Sequence, residues 1–160
     1  MNSLILVTVI FTSIGSALIS GIFFAFSNFI MKAFSRLPSS EGMAAMKSIN
    51  VVVLNPLFLG LFMGTAITSL IIVVIALMKW GTPSALYFLI GALLYIFGTF
   101  LVTGMGNVPL NNRLASIVVT DPAANDTWNH YLERWTHLNT IRTFSALLAC
   151  ATLIIGAMKL

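Results

Sequence analysis

Both histidines of this 160-residue chain lie within one short stretch, arranged with a glutamate as His130-x2-Glu133-x3-His137. Positions i, i+3 and i+7 fall in line on a helix. Two imidazoles and a carboxylate so placed can ligate a divalent metal; beside a membrane span they also make an ordinary ion pair or a solvated face. Arg142 offers a different chemistry. It has no acid four residues before it and stands near Asn139 and Thr140 at the head of an apolar run. A guanidinium there is either a topology charge that snorkels to the interface or a clamp for an anion or oxyanion at the mouth of a bundle. Asn50, Asn55, Asn107, Asn111 and Asn112 fall at the same end of their apolar runs. Each amide alone can cap a helix. Converging with Trp128 and Trp135, they predict a pocket.

The elements that must hold these groups are apolar. The chain is 59% hydrophobic and 8% charged, against about 25% charged in a soluble domain. Runs of this length without a polar face read as membrane spans. The pattern predicts an all-α, transmembrane, up-down four-helix bundle: a single integral membrane domain over 1–160, with spans near 4–31, 51–78, 85–106 and 138–158. No Lys or Arg precedes the first run, which predicts a retained helix rather than a cleaved signal.

Short amphipathic helices are expected in the two large loops. Pro38 breaks the first span, and Met43, Met46 and Ile49 then recur at helical spacing. Pro109 can open a second such helix, with Leu110, Leu114, Ile117 and Val118 on its apolar side. Asp121-Pro122 reads as the start of the helix that carries Trp128, Tyr131, Trp135, Leu138 and Arg142 on one face. Pro56, read inside the second span, predicts a kink. Ser13, Ala17, Gly21 and Ala25 repeat every four residues. Such a small-residue face serves close packing within the chain or a seam in a homo-oligomer. Asn28 on the same helix is either a structural tie or a pocket group.

Charge sets the orientation. Lys32, Arg36, Lys47, Arg113, Arg134 and Arg142 belong to the two large loops, while Lys79 and Lys159 lie on the other side. The positive-inside rule places both large loops in the cytoplasm and both termini outside a bacterial plasma membrane. The net charge of +4 is thereby explained by topology and membrane lipid, with no nucleic acid partner. Cys150 has no intrachain partner for a disulfide.

Four pieces together carry a resemblance. They are Phe26-Ser27-Asn28-Phe29, Asn50 with Asn55-Pro56, Asn107-Val108-Pro109-Leu110-Asn111-Asn112-Arg113-Leu114, and the run from Trp128 to Arg142. The chain resembles the anthrone-oxygenase-like family of small integral membrane proteins. The resemblance implies oxidation of a hydrophobic, hydroxylated aromatic substrate with O2 and no cofactor. It also implies roles: His137 as base, Arg142 with Asn107 or Asn111 steadying an oxyanion, and Trp128 and Trp135 walling a flat substrate. Asn50, Asn55 and Asn139 would complete the binding site. No metal and no haem is expected, since haem needs an axial ligand and both histidines sit outside the deep core. The competing expectation is a non-enzymatic membrane protein, a transporter or accessory subunit. A transporter carries polar groups to mid-membrane, often in broken helices.

Overall fold

The computed structural model describes residues 3–118 and 120–160. Among these residues five helices form: α1 Ser3–Phe34, α2 Ser39–Val52, α3 Pro56–Met78, α4 Ala85–Ser116 and α5 Ala124–Ala157. All except α2 are long and apolar enough to cross a membrane. At 1.5 Å per residue, even the 23-residue α3 exceeds the roughly 30 Å hydrocarbon core. The molecule is an integral membrane protein with four apolar spans. α1 packs on α3 and α5, and α4 packs on α3 and α5, so the four spans close a ring in chain order.

Local chemistry sets the helix ends, and several differ from the sequence expectation. Pro56 does not kink a span that begins at 51. Val51 and Val52 end α2, and α3 starts afresh at Pro56. A proline costs nothing in a first turn, where its missing N–H has no partner to lose. Asn55 caps that turn, its Oδ1 accepting from the Phe58 N–H at 3.0 Å. The expected second amphipathic helix is not a separate element: residues 108–116 continue α4. The fourth span, α5, starts at Ala124, so the aromatic run and the last span are one element. Asp121 is not its cap; its carboxylate instead accepts from the Ala123 N–H at 2.8 Å in the preceding turn.

Two spans are not plain α-helix. α1 has a π turn at Phe26–Ile30, and α4 has π segments at Leu94–Leu101 and Thr103–Asn107. α4 packs closely against α5 along these segments. Gly91, Gly98 and Gly106 let α4 approach closely, because a Cβ at each would strike Thr152, Ser145 or Leu138 of α5. A π turn absorbs an extra residue without breaking the helix.

Most of the small-residue face on α1 does not carry the bundle contact, although Ser13 is buried. Ala17 and Gly21 point outward, and so does Asn28. The close approach is made by Gly15, where a Cβ would fall on Thr65 of α3. Above the spans, Met43 and Met46 of α2 pack with Leu114, Trp128 and Tyr131. This roof is tied across by Lys47, whose Nζ donates to the Ile117 carbonyl just past the end of α4 at 2.6 Å.

Candidate functional site

The buried face of α5 reads Trp128, Tyr131, Trp135, Asn139, Arg142. Steps of three and four keep these side chains on one stripe. The upper three rings form a column, with centroids 5.7 Å apart for Trp128–Tyr131 and 6.0 Å for Tyr131–Trp135. Asn111 fixes its lower part: its Oδ1 accepts from both the Tyr131 hydroxyl and the Trp135 Nε1, each at 2.8 Å. Asn50 approaches the Tyr131 hydroxyl at 3.5 Å, a weak contact.

Arg142 lies at the foot of the column and is 4% exposed. Its Nη2 donates to Asn139 Oδ1 at 2.6 Å and its Nη1 to Thr103 Oγ1 at 3.1 Å. The guanidinium carbon sits 4.0 Å from the Phe23 ring centroid and 5.3 Å from that of Trp135. Cation–π contacts in such a desolvated setting contribute about 2 kcal/mol. Asn139 passes the network on to α1, donating to the Phe23 carbonyl at 2.6 Å and the Ser27 hydroxyl at 2.7 Å. Asn107, 1% exposed, donates to the Trp135 carbonyl at 3.1 Å.

This network is incomplete in a particular way. Glu41, Asp121, Asp126 and Glu133, all the acids in the sequence, are exposed, and no ion pair reaches Arg142 among the described residues. Arg142 Nε and Asn107 Oδ1 are buried without a hydrogen-bond partner. Burying a charge without a counter-ion costs several kcal/mol, and each orphaned polar group adds about 1–3 kcal/mol. Two hydrogen bonds and two aromatic faces offset part of this. Arg142 Nε calls for an acceptor or anion and Asn107 Oδ1 for a donor. All three π segments flank this network: Phe26–Ile30 follows Phe23 and holds Ser27, and those of α4 hold Thr99, Thr103 and Asn107. Thr99 also donates to the Arg142 carbonyl at 3.3 Å.

Of the sequence candidates, Asn107, Asn111, Trp128, Trp135, Asn139 and Arg142 are brought onto one continuous network or column. Asn50 stands at its edge. Asn55 is an exposed helix cap and lies apart from it. His137 is exposed, with His130 and Glu133, on the outward side of α5. It stands about 7.5 Å along the axis and roughly 140° around it from Arg142. No cluster of three His, Cys, Asp or Glu able to hold a metal occurs among the described residues. The sequence reading missed Phe23 and Ser27 as partners of the Arg142 network, since neither type signals such a role by itself. Thr103 had a signal: it shares a helix face with Gly91, Tyr95 and Thr99.

Residues 57–152 match the family model described as anthrone oxygenase. That stretch is more than half of the chain. The chain belongs to the anthrone oxygenase family. Comparison with curated proteins and with solved structures gives no significant match. The matched region of this anthrone oxygenase family member contains Asn107, Asn111, Trp128, Trp135, Asn139 and Arg142. It leaves out α1 and α2, and with them Phe23, Ser27 and Asn50.

Proposed function

We propose that the chain is an O2-dependent oxidoreductase acting on a hydrophobic, hydroxylated aromatic compound of the anthrone type. The observation that carries this reading is Arg142: a buried guanidinium with no acid partner, an orphaned Nε, and aromatic rings on its faces. Guanidinium stays protonated in proteins. A phenolate or enolate oxygen is the counter-charge such a group would stabilise, and stabilising it favours loss of a proton from the substrate carbon. Family membership supports the substrate class.

The proposed chemistry balances without another reductant. Loss of one proton from the anthrone methylene leaves an electron-rich enolate. O2 accepts electrons from it and joins that carbon as a peroxide, and loss of water leaves a second carbonyl. One anthrone and one O2 become one anthraquinone and one water. The buried network contains no carboxylate or imidazole, so the proton must leave toward the exposed side, where His137 is the proposed acceptor. Arg142 is closed off in this conformation. Substrate would reach it by displacement of the α2 roof or by opening at the π segments, which mark sites where a helix readily rearranges. Trp128 and Trp135 then wall the substrate, with Asn50, Asn107 and Asn111 beside it. Asn55 contributes only by fixing the start of α3. The roof side carries Lys32, Arg36, Lys47, Arg113 and Arg134, which supports a cytoplasmic placement in a bacterial plasma membrane.

Oxygen uptake by the purified full chain, with a panel of anthrones, hydroquinones and related phenols, tests the reading. Wild type is expected to exceed the autoxidation blank, and Arg142→Ala to lose about 10²- to 10³-fold of the excess rate. Wild type equal to the blank for folded protein would overturn it.

A further inference from the structure

A second site lies on the other side of the α4–α5 contact. A groove of about 650 Å³ runs along the outer surface between these helices. Its lower walls are Phe97, Leu101, Met105 and Leu138; its upper end carries Arg113 and Arg134. Phe97, Leu101 and Met105 are exposed on a membrane-spanning helix, so this part faces acyl chains. Arg113 and Arg134 are also exposed, and neither has an ion-pair or side-chain hydrogen-bond partner among the described residues. No acid lines the groove; His130 and Leu110 complete its upper rim.

Apolar walls within the bilayer and two free guanidinium groups at its edge match one molecule class end to end. We infer that this groove binds an anionic phospholipid of the surrounding membrane, its phosphate between Arg113 and Arg134 and an acyl chain along Leu101, Met105 and Leu138. Guanidinium groups hold phosphate oxygens through paired, charge-assisted hydrogen bonds. Basic pockets between spans near the membrane surface select anionic head groups. A zwitterionic head group fits less well, because its own cation would meet two arginines. The site is independent of Arg142, which does not line the groove.

Native mass spectrometry of the full chain in neutral detergent, titrated with phosphatidylglycerol, phosphatidylcholine or glycerophosphate, tests the inference. A 1:1 phosphatidylglycerol adduct is expected at concentrations where phosphatidylcholine gives none. The R113Q/R134Q double variant should weaken that adduct about tenfold or more, while Arg36→Gln, a charge change in the turn after α1, should leave it intact. Met105→Trp fills the apolar part without altering charge and should weaken the adduct too; it carries the test if the double variant fails to fold. Equal retention of the two lipids, an unchanged adduct in R113Q/R134Q and Met105→Trp, or an equal loss in Arg36→Gln would overturn the assignment. Equally tight binding of glycerophosphate would overturn the lipid and leave a simple phosphate site.

Discussion

Arg142 Nη2 donates to Asn139 Oδ1 at 2.6 Å, and the same amide's Nδ2 donates to the Phe23 carbonyl at 2.6 Å. One side chain thus orients the buried cation and ties α5 to α1, at the residue that also stacks on that cation. Asn139→Ala removes both functions. It should cost about 1–3 kcal/mol for each buried partner left unsatisfied, read as a lower unfolding midpoint in detergent. Asn139→Asp differs: it supplies Arg142 with an internal carboxylate. That variant is expected to lose turnover because the cation is already neutralised. An N139D protein as active as wild type would show that Arg142 does not await an external anion.

The cation itself permits a test that separates folding from function. Arg142→Met removes an uncompensated buried charge, a gain set against about 1–3 kcal/mol for leaving Asn139 Oδ1 without its donor. The variant should therefore stay folded while losing oxygen uptake. Arg142→Lys keeps the charge but loses the planar fork, and should retain only part of the activity. If R142M keeps full activity, Arg142 is structural, and the oxyanion role fails.

How much of this could be read beforehand depends on the period of the signal. Four spans and the Trp128-to-Arg142 stripe follow from hydropathy and a 3.6-residue repeat, which hold along α5 without interruption. The π segments of α4 do not follow. A π turn takes in one more residue without changing the apolar composition, so hydropathy does not mark it. Pro56 was ambiguous for a similar reason: Asn-Pro serves equally as a kink or as a fresh start, and the exposed break after Val52 decides it. His137 looked attractive because imidazole is chemically apt. Its face on α5, set five residues from Arg142, turns it outward.

His137 remains the proposed proton acceptor, and its exposure makes the test clean. H137Q should fold like wild type, because surface substitutions usually change stability by no more than about 0.5 kcal/mol. For a final acceptor reached through water, its loss should lower turnover by less than that of a direct general base, which is about 10²- to 10⁴-fold. A rate equal to wild type would assign the proton to water.

Glycine contacts predict a contrast between two faces. A Cβ at Gly98 would overlap Ser145, whereas one at Gly21 meets nothing within 4 Å. Gly98→Val should destabilise by about 1–3 kcal/mol through overpacking. Gly21→Ala should be neutral or stabilise by up to about 1 kcal/mol through helix propensity. Thermal melts in one detergent compare them directly. Destabilisation by Gly21→Ala would instead indicate that this outward face is covered by a second copy of the chain, and a shift to a smaller species on light scattering would identify it.

The roof offers the last prediction. Lys47 Nζ reaches the Ile117 carbonyl at 2.6 Å, just beyond the end of α4, where a cation also meets the negative pole of the helix dipole. No other ion pair or polar side-chain bond joins α2 to α4 among the described residues, so the rest of that attachment is the methionine and aromatic packing around Trp128. Lys47→Met keeps the apolar stem and removes the charge-assisted bond, which is worth about 1.5–3 kcal/mol. Hydrogen exchange should then quicken across residues 39–52 while the spans stay protected. If substrate enters beneath α2, the same variant should lower KM or raise turnover by loosening the entrance. Faster exchange with unchanged kinetics would place the entrance elsewhere, between α4 and α5 at the π segments. Unchanged exchange would mean that the Trp128 packing holds the roof unaided.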